Sequence, residues 1–430
     1  MPKLQRLILN LLRTSLLSAV QTGVKILAGF ALVKVVALTS GPGGLAQLGQ
    51  FQNLVGLVTI LSGGMFYTGV TKLVSEHGET YEKLLAIARI VLTASVVCTL
   101  VIASLLTFWE GWISQYVLKD VHLDWIFPAL PLLIFLSVLN GLWLALLNGL
   151  RRIRELVLAN IAASVLMVMF VFVLAPRFGQ KGVFLSILLP PAIVILIVFL
   201  RRFRRQHWTA MCISGLANKP PYGELARFAL MGLVSAAAAP LAQMTMRDYL
   251  TETLSLADAG IWQGITRISE VYLVFITSSL SVYYLPKLAQ VSDAASLKKL
   301  TTSVLRLVIP VSLLLGTLIY IFRDILIWLL FTPEFSSMRD LFFWQIVGDM
   351  VKIIAWVFAY IVLARGAVIP FVVGELLFNA TYVMLGMLLV PKFGLEGVVL
   401  AHGINYVLYL FFVVVVVRAI TRRIDGVKPI

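Results

Sequence analysis

The sequence predicts an all-α integral membrane protein of twelve transmembrane helices in two six-helix lobes, and three observations carry that prediction. Of 430 residues, 60% are hydrophobic and only 13% charged, with a mean hydropathy of +0.98, so the chain cannot be solvated as a globular surface. Continuously apolar runs of about 20 residues recur along it, each long enough at about 1.5 Å per residue to cross a hydrocarbon layer of roughly 30 Å. Finally, Pro176-Arg177-Phe178-Gly179-Gln180-Lys181-Gly182-Val183 returns as Pro391-Lys392-Phe393-Gly394-Leu395-Glu396-Gly397-Val398, displaced by 215 positions, which is half the chain.

In chain order, the first span covers 14–38 and follows the segment MPKLQRLILNLL, too short for a secretory signal and suited as an amphipathic stretch to the inner membrane surface. The second, 49–74, is thinned by Gly56, Gly63, Gly64 and Gly69, which favours close helix packing. The third, 86–108, contains Cys98 and precedes the largest outer loop, 109–125. Spans four to six cover 126–149, 156–175 and 182–200, the last with a Pro190-Pro191 pair. The polar stretch 201–224, which holds Cys212, reads as a linker, giving an N-terminal lobe of 1–216 and a C-terminal lobe of 217–430. Spans seven to twelve fall at 226–249, 259–285, 304–330, 340–364, 367–390 and 397–417, with Pro240, Pro310 and Pro370 as interruptions. Helices are favoured over a barrel because the runs do not alternate, and a helix satisfies its own backbone in lipid.

Charge fixes an orientation. With the N-terminus placed in the cytoplasm, 24 of the 35 Lys and Arg residues collect at inner ends and seven at outer ends, so both termini are expected in the cytoplasm. The net charge of +15 is then a matter of topology and anionic headgroups of the inner membrane, not of nucleic acid. A second echo pairs Leu45-Ala46-Gln47-Leu48-Gly49-Gln50-Phe51-Gln52 with Leu256-Ala257-Asp258-Ala259-Gly260-Ile261-Trp262-Gln263. Six spans return the chain to the same side, so the repeat is parallel and the cleft between lobes is the expected path. No loop is large enough for an extramembrane catalytic centre, no nucleotide motif is present, and His77, His122, His207 and His402 show no ligand spacing, so neither a metal nor an embedded enzyme is expected.

An ionisable group in hydrocarbon costs at least roughly 2.5–3.5 kcal/mol, so each needs a partner, a wet cavity or a ligand. Mid-span candidates are Lys25, Arg267, Glu270, Asp349, Lys352 and Glu375, with Lys34, Arg247 and Asp248 nearer outer ends, where long basic chains snorkel. Arg267 with Glu270, and Asp349 with Lys352, are three apart and share a helix face, so each pair is either self-neutralised or part of a binding site. The functional reading is a cationic cavity for a phosphorylated head group, with Lys25, Arg267, Lys352, Arg247 and Lys34 as cations and Asn140 among the amides for sugar hydroxyls. Asp349, Glu270, Asp248 and Glu375 are the acids for coupling or ion pairing. Coupling to a proton or sodium gradient or to membrane potential is an expectation of this arrangement, and no bound cofactor is. A cation-coupled multidrug exporter and a non-transporting scaffold are the competing readings.

Gly260-Ile261-Trp262-Gln263-Gly264 with Ile268-Ser269, Phe275-Ile276-Thr277 and Ser281-Val282-Tyr283 resembles the Wzx-type polysaccharide-lipid flippases. Met338-Arg339-Asp340-Leu341-Phe342, Trp344-Gln345, Val347-Gly348-Asp349, Lys352, Val24-Lys25-Ile26 and Lys34 extend the likeness, which is greatest toward the branch serving enterobacterial common antigen. The resemblance implies membership of the multidrug, oligosaccharidyl-lipid and polysaccharide exporter superfamily, with a V-shaped cleft and alternating access. It implies an undecaprenyl-diphosphate-linked oligosaccharide as substrate, and a polysaccharide polymerase and chain-length regulator as partners. It further implies that Lys25 stands where a peptidoglycan-precursor flippase carries a cation.

Overall fold

The computed structural model describes residues 2–77, 81–119, 125–203, 222–291 and 293–426, and among these it is helical with no strand. The chain forms α1 (Pro2–Leu61), α2 (Tyr67–His77), α3 (Tyr81–Phe108), a single turn α4 (Glu110–Trp112), α5 (Leu130–Gly149), α6 (Ile153–Phe178) and α7 (Gln180–Phe203). It continues as α8 (Tyr222–Thr253), α9 (Leu256–Ser279), α10 (Leu285–Gln290), α11 (Ala294–Ile321), α12 (Arg323–Leu330), α13 (Met338–Ala364), α14 (Val368–Phe393) and α15 (Glu396–Gly426). Nine helices among the described residues are long and apolar enough to cross a membrane. α8 and α9, which carry Arg247, Asp248, Arg267 and Glu270, are not among the nine.

Several expected boundaries move. The N-terminal segment runs without a break into the first span, and spans one and two form a single α1, kinked where Gly41 adopts φ 61 just before Pro42. Span two does not continue through 74 as one helix: it breaks at Ser62–Gly63, where Gly63 has φ 144, and resumes as α2. Span nine begins ten residues earlier than 304, at Ala294, because Asp293 accepts the Ser296 N–H at 2.7 Å and so caps α11. It also ends at Ile321, and 323–330 forms the separate α12. None of the three prolines ends its helix: Pro240 and Pro310 lie inside α8 and α11, which run on through them, and Pro370 lies in the first turn of α14, where a missing N–H costs nothing. Most of the expected linker and Cys212 lie outside the described residues.

Two compact units emerge: residues 1–40 with 47–240, and residues 41–46 with 241–430. In the first, Phe51 stacks on Phe184 at 3.9 Å between ring centroids, and Ile134, Val138 and Val183 are buried. Among its polar contacts, Thr71 donates to the Ala145 carbonyl at 3.2 Å, and Lys72 pairs with Glu76 at 3.7 Å. In the second, the apolar core is built from α9, α11, α13 and α15 around Tyr272, Tyr284, Ile353 and Val413.

The repeat seen in the sequence has the same backbone in both units. Gly179 ends α6 with φ 56 and ψ −136, and Gly394 ends α14 with φ 57 and ψ −137. Each N–H donates at 2.8 Å to the carbonyl four residues back, of Ala175 and Val390. The preceding corners also agree: Arg152 N–H reaches Leu147 O at 2.8 Å, and Ala367 N–H reaches Val362 O at 3.1 Å. The offset of 215 thus holds from α5–α7 to α13–α15.

Candidate functional site

The candidate site is a polar cluster inside the second unit, centred on Asp349 near the middle of α13. Asp349 is 0% exposed, and about 16 Å of helix separates it from the start of α13 at Met338. A buried carboxylate is tolerated only with its lone pairs filled, and three helices do this. From α9, Ser269 and Tyr272 donate their hydroxyls to Asp349 Oδ2. From α13 itself, Gln345 Nε2 donates at 3.3 Å one turn away. From α15, His402 Nε2 lies 3.0 Å from Asp349 Oδ1, with the His side chain 15% exposed.

This meeting depends on how closely α13 and α15 approach. Gly348 and Gly403 face each other where the helices cross, and a Cβ at 348 would stand 3.1 Å from Gly403 Cα and 2.7 Å from His402 Cδ2. Only a residue without a side chain permits that crossing, and the neighbours of the two glycines are Asp349 and His402 themselves.

Cations and aromatic rings complete the cluster. Lys352 places Nζ 5.0 Å from the Trp356 ring and 5.1 Å from the Tyr406 ring, within electrostatic range of Asp349. Tyr406 in turn packs edge-on to His402 at 4.9 Å, and Tyr382 of α14 approaches the same imidazole at 6.3 Å. Arg247 of α8, only 2% exposed, donates to Gln263 Oε1 and lies 5.5 Å from the Trp262 ring. Arg267, Glu270 and Tyr382 are within its electrostatic range. Arg267 and Glu270 form an ion pair at 2.9 Å on the same helix, about a third exposed.

The expectations fare unevenly. Arg267 and Glu270 do pair along one face. Asp349 and Lys352 form no ion pair among the described residues, because Asp349 is filled from α9 and α15 while Lys352 finds two rings. Arg247 does not snorkel: it is folded inward against Gln263. Asp248, next in sequence, is half-buried, and Glu375 of α14 is half-buried within electrostatic range of Tyr409. Lys25 is exposed on α1, Lys34 is half-buried there, and Asn140 is buried in α5, all three in the first unit. The residue missed is His402. Treating the four histidines only as metal ligands hid the plain signal that an imidazole lay inside an apolar span, where any ionisable group asks for a partner.

Comparison with known proteins follows the same lines. No family model matches the chain. It is 30% identical over 413 residues to the lipid III flippase of Escherichia coli (strain K12), covering 93% of this chain and 96% of that one. The lipid III flippase of Shigella flexneri gives the same figures. Among solved structures, an inward-facing MATE family transporter of the MOP superfamily matches 94% of this chain and 96% of its own with a TM-score of 0.80 at 13% identity. The lipid II flippase MurJ in an inward closed conformation matches 95% of this chain and 87% of its own with a TM-score of 0.72 at 12% identity. The fold is therefore that of MATE and MurJ transporters, in a multi-pass membrane protein. At that identity and coverage, the chain belongs to the lipid III flippase family.

Proposed function

We propose that this protein moves an undecaprenyl-diphosphate-linked oligosaccharide, the lipid III of enterobacterial common antigen, from the cytoplasmic to the periplasmic leaflet of the inner membrane. On this reading α8 and α9 also cross the membrane, giving twelve spans in two lobes with both termini in the cytoplasm. Residues 1–216 form one lobe and 217–430 the other. The protein works without a catalytic step, by exposing its head-group site alternately to the two sides.

The observation that carries the proposal is the cluster of Arg247, Arg267, Glu270, Asp349, Lys352 and His402 in one unit of a chain from this family. A drug exporter asks mainly for apolar walls and isolated acids, whereas this cluster mixes three cations with rings. Guanidinium and ammonium groups suit diphosphate oxygens, and the rings of Trp262, Trp356 and Tyr406 suit sugar faces. Lys25, Lys34 and Asn140 are further contacts offered by the first unit. Asp349 and His402 form a carboxylate–imidazole pair, two titratable groups in direct contact, and we assign it the coupling role, with Glu270 as the secondary acid. A polysaccharide polymerase and a chain-length regulator are the proposed protein partners.

The test is reconstitution into liposomes with a fluorescent polyprenyl-diphosphate-linked saccharide, with and without an imposed gradient. Arg247→Gln and Lys352→Gln are expected to reduce translocation at least tenfold while the protein inserts normally. Wild-type rates in both would reject the head-group assignment. Resistance to lipophilic cations conferred by the wild type would favour drug export instead.

A further inference from the structure

A second feature of the C-terminal unit stands apart from the Asp349 cluster. At the membrane end where α15 finishes and α11 begins, a cavity of about 580 Å³ opens between α11, α13 and α15. That is the size of an ordinary small-molecule site. Its lining is ordered by chemistry. Lys298 near the start of α11 and Arg418 and Arg422 near the end of α15 supply three cations from two helices. Leu305, Phe358, Ile361 and Val417 form the apolar wall.

The spacing explains the order. Lys298 and Leu305 are seven apart and share one face of α11, about 10 Å along the axis, so the charge stands nearer the helix end and the leucine deeper. Arg418 and Arg422 are four apart and share one face of α15. No carboxylate lines the cavity. Asp293, at the head of α11, is occupied in capping: its carboxylate accepts the Ser296 N–H at 2.7 Å. Lys298, Arg418 and Arg422 form no ion pair among the described residues, so three cations face an apolar slot with no acid of the site to neutralise them.

We propose that this cavity binds an anionic phospholipid of the adjacent leaflet, with its phosphodiester held by Lys298, Arg418 and Arg422 and an acyl chain lying against Leu305, Phe358, Ile361 and Val417. Arg and Lys match phosphate oxygens, and basic pockets between helices at a membrane surface are suited to such head groups. Cations that only set topology need no apolar slot beside them. The lipid here is a resident ligand, distinct from the transported molecule, and none of these residues belongs to the candidate transport site.

Native mass spectrometry of the full-length protein, released from nanodiscs containing equal phosphatidylglycerol and phosphatidylcholine, tests this. Wild type is expected to retain phosphatidylglycerol in preference to phosphatidylcholine. Arg418→Gln with Arg422→Gln is expected to cut that retention at least tenfold, and Leu305→Trp, which fills the slot and keeps every cation, to do the same. Lys298→Gln alone, the mildest variant, should lower it several-fold and so gives an answer if the double variant does not fold. Equal retention of both lipids by wild type, or unchanged retention in Lys298→Gln and Leu305→Trp, would overturn the proposal. Displacement of the lipid by millimolar inorganic phosphate would reduce the site to a free-phosphate site and overturn it equally.

Discussion

Asp349 concentrates the chemistry of the second unit because so many groups are spent on it. Two hydroxyls, an amide and an imidazole converge on one carboxylate with no solvent exposure. Such a network is stable only when filled, and each missing donor leaves a buried acceptor at a cost of roughly 1–3 kcal/mol. His402→Ala should therefore lower stability by about that amount, read as a fall in the unfolding midpoint in detergent. Asp349→Asn keeps the shape but removes the charge, so it should insert and remain folded while gradient-driven translocation falls at least tenfold. A gradient response equal to wild type would remove Asp349 from the coupling role.

At the scale of elements, glycines decide where helices meet and turn. At 348 a methyl group has no room beside His402 and Gly403, so Gly348→Ala should destabilise by roughly 1–3 kcal/mol through forced separation of α13 from α15. Gly179 and Gly394 have open space around a would-be Cβ, so Ala there meets only the cost of a positive-φ backbone that L side chains rarely adopt, about 1–3 kcal/mol. Because the two turns share their dihedrals, the two substitutions should cost the same and add in the double variant. Unequal costs would mean that the repeat has diverged in ways the backbone hides. The cap of α11 carries a pH dependence. The Ser296 N–H holds the Asp293 carboxyl below its ordinary range, so the stability it lends is present above the unfolded-state value and lost as pH falls through the folded one. Hydrogen exchange of the first turn of α11 should accelerate over that acid window in wild type and not in Asp293→Asn.

For the whole molecule, the internal duplication supplies its own control. The 215-residue offset puts Ile134 where the second unit has Asp349, and Ile187 where it has His402. Ile134 is 1% exposed and sits in an apolar core, so the first unit holds its helices by packing where the second uses charge. Among the described residues, both buried ionisable side chains outside the tyrosines, Arg247 and Asp349, belong to the second unit. Ile134→Asp should consequently fail to give monodisperse protein on size exclusion, since it buries a new carboxylate at a position 1% exposed, whereas Asp349→Asn should pass the same test.

What the sequence determined by itself was set by one-dimensional rules: hydropathy and run length gave a helical membrane protein, and the recurrence of a proline–glycine string gave the duplication. The strings around Gly260 and Asp349 pointed to the right family. The spacing of Arg267 and Glu270 also gave their pairing, because a contact within one helix turn is local. Tertiary structure alone decided the rest. Asp349 and Lys352 have the same spacing, yet Asp349 takes partners 77, 80 and 53 positions away, from Tyr272, Ser269 and His402, because desolvated groups accept the best-placed donors whatever their distance in sequence. Arg247 reads as a snorkelling end residue until the fold turns it inward onto Gln263. An imidazole in an apolar span marks His402 as needing a partner, but only the Gly348–Gly403 crossing decides that the partner is Asp349, since sequence records which groups need partners but not which helices lie side by side.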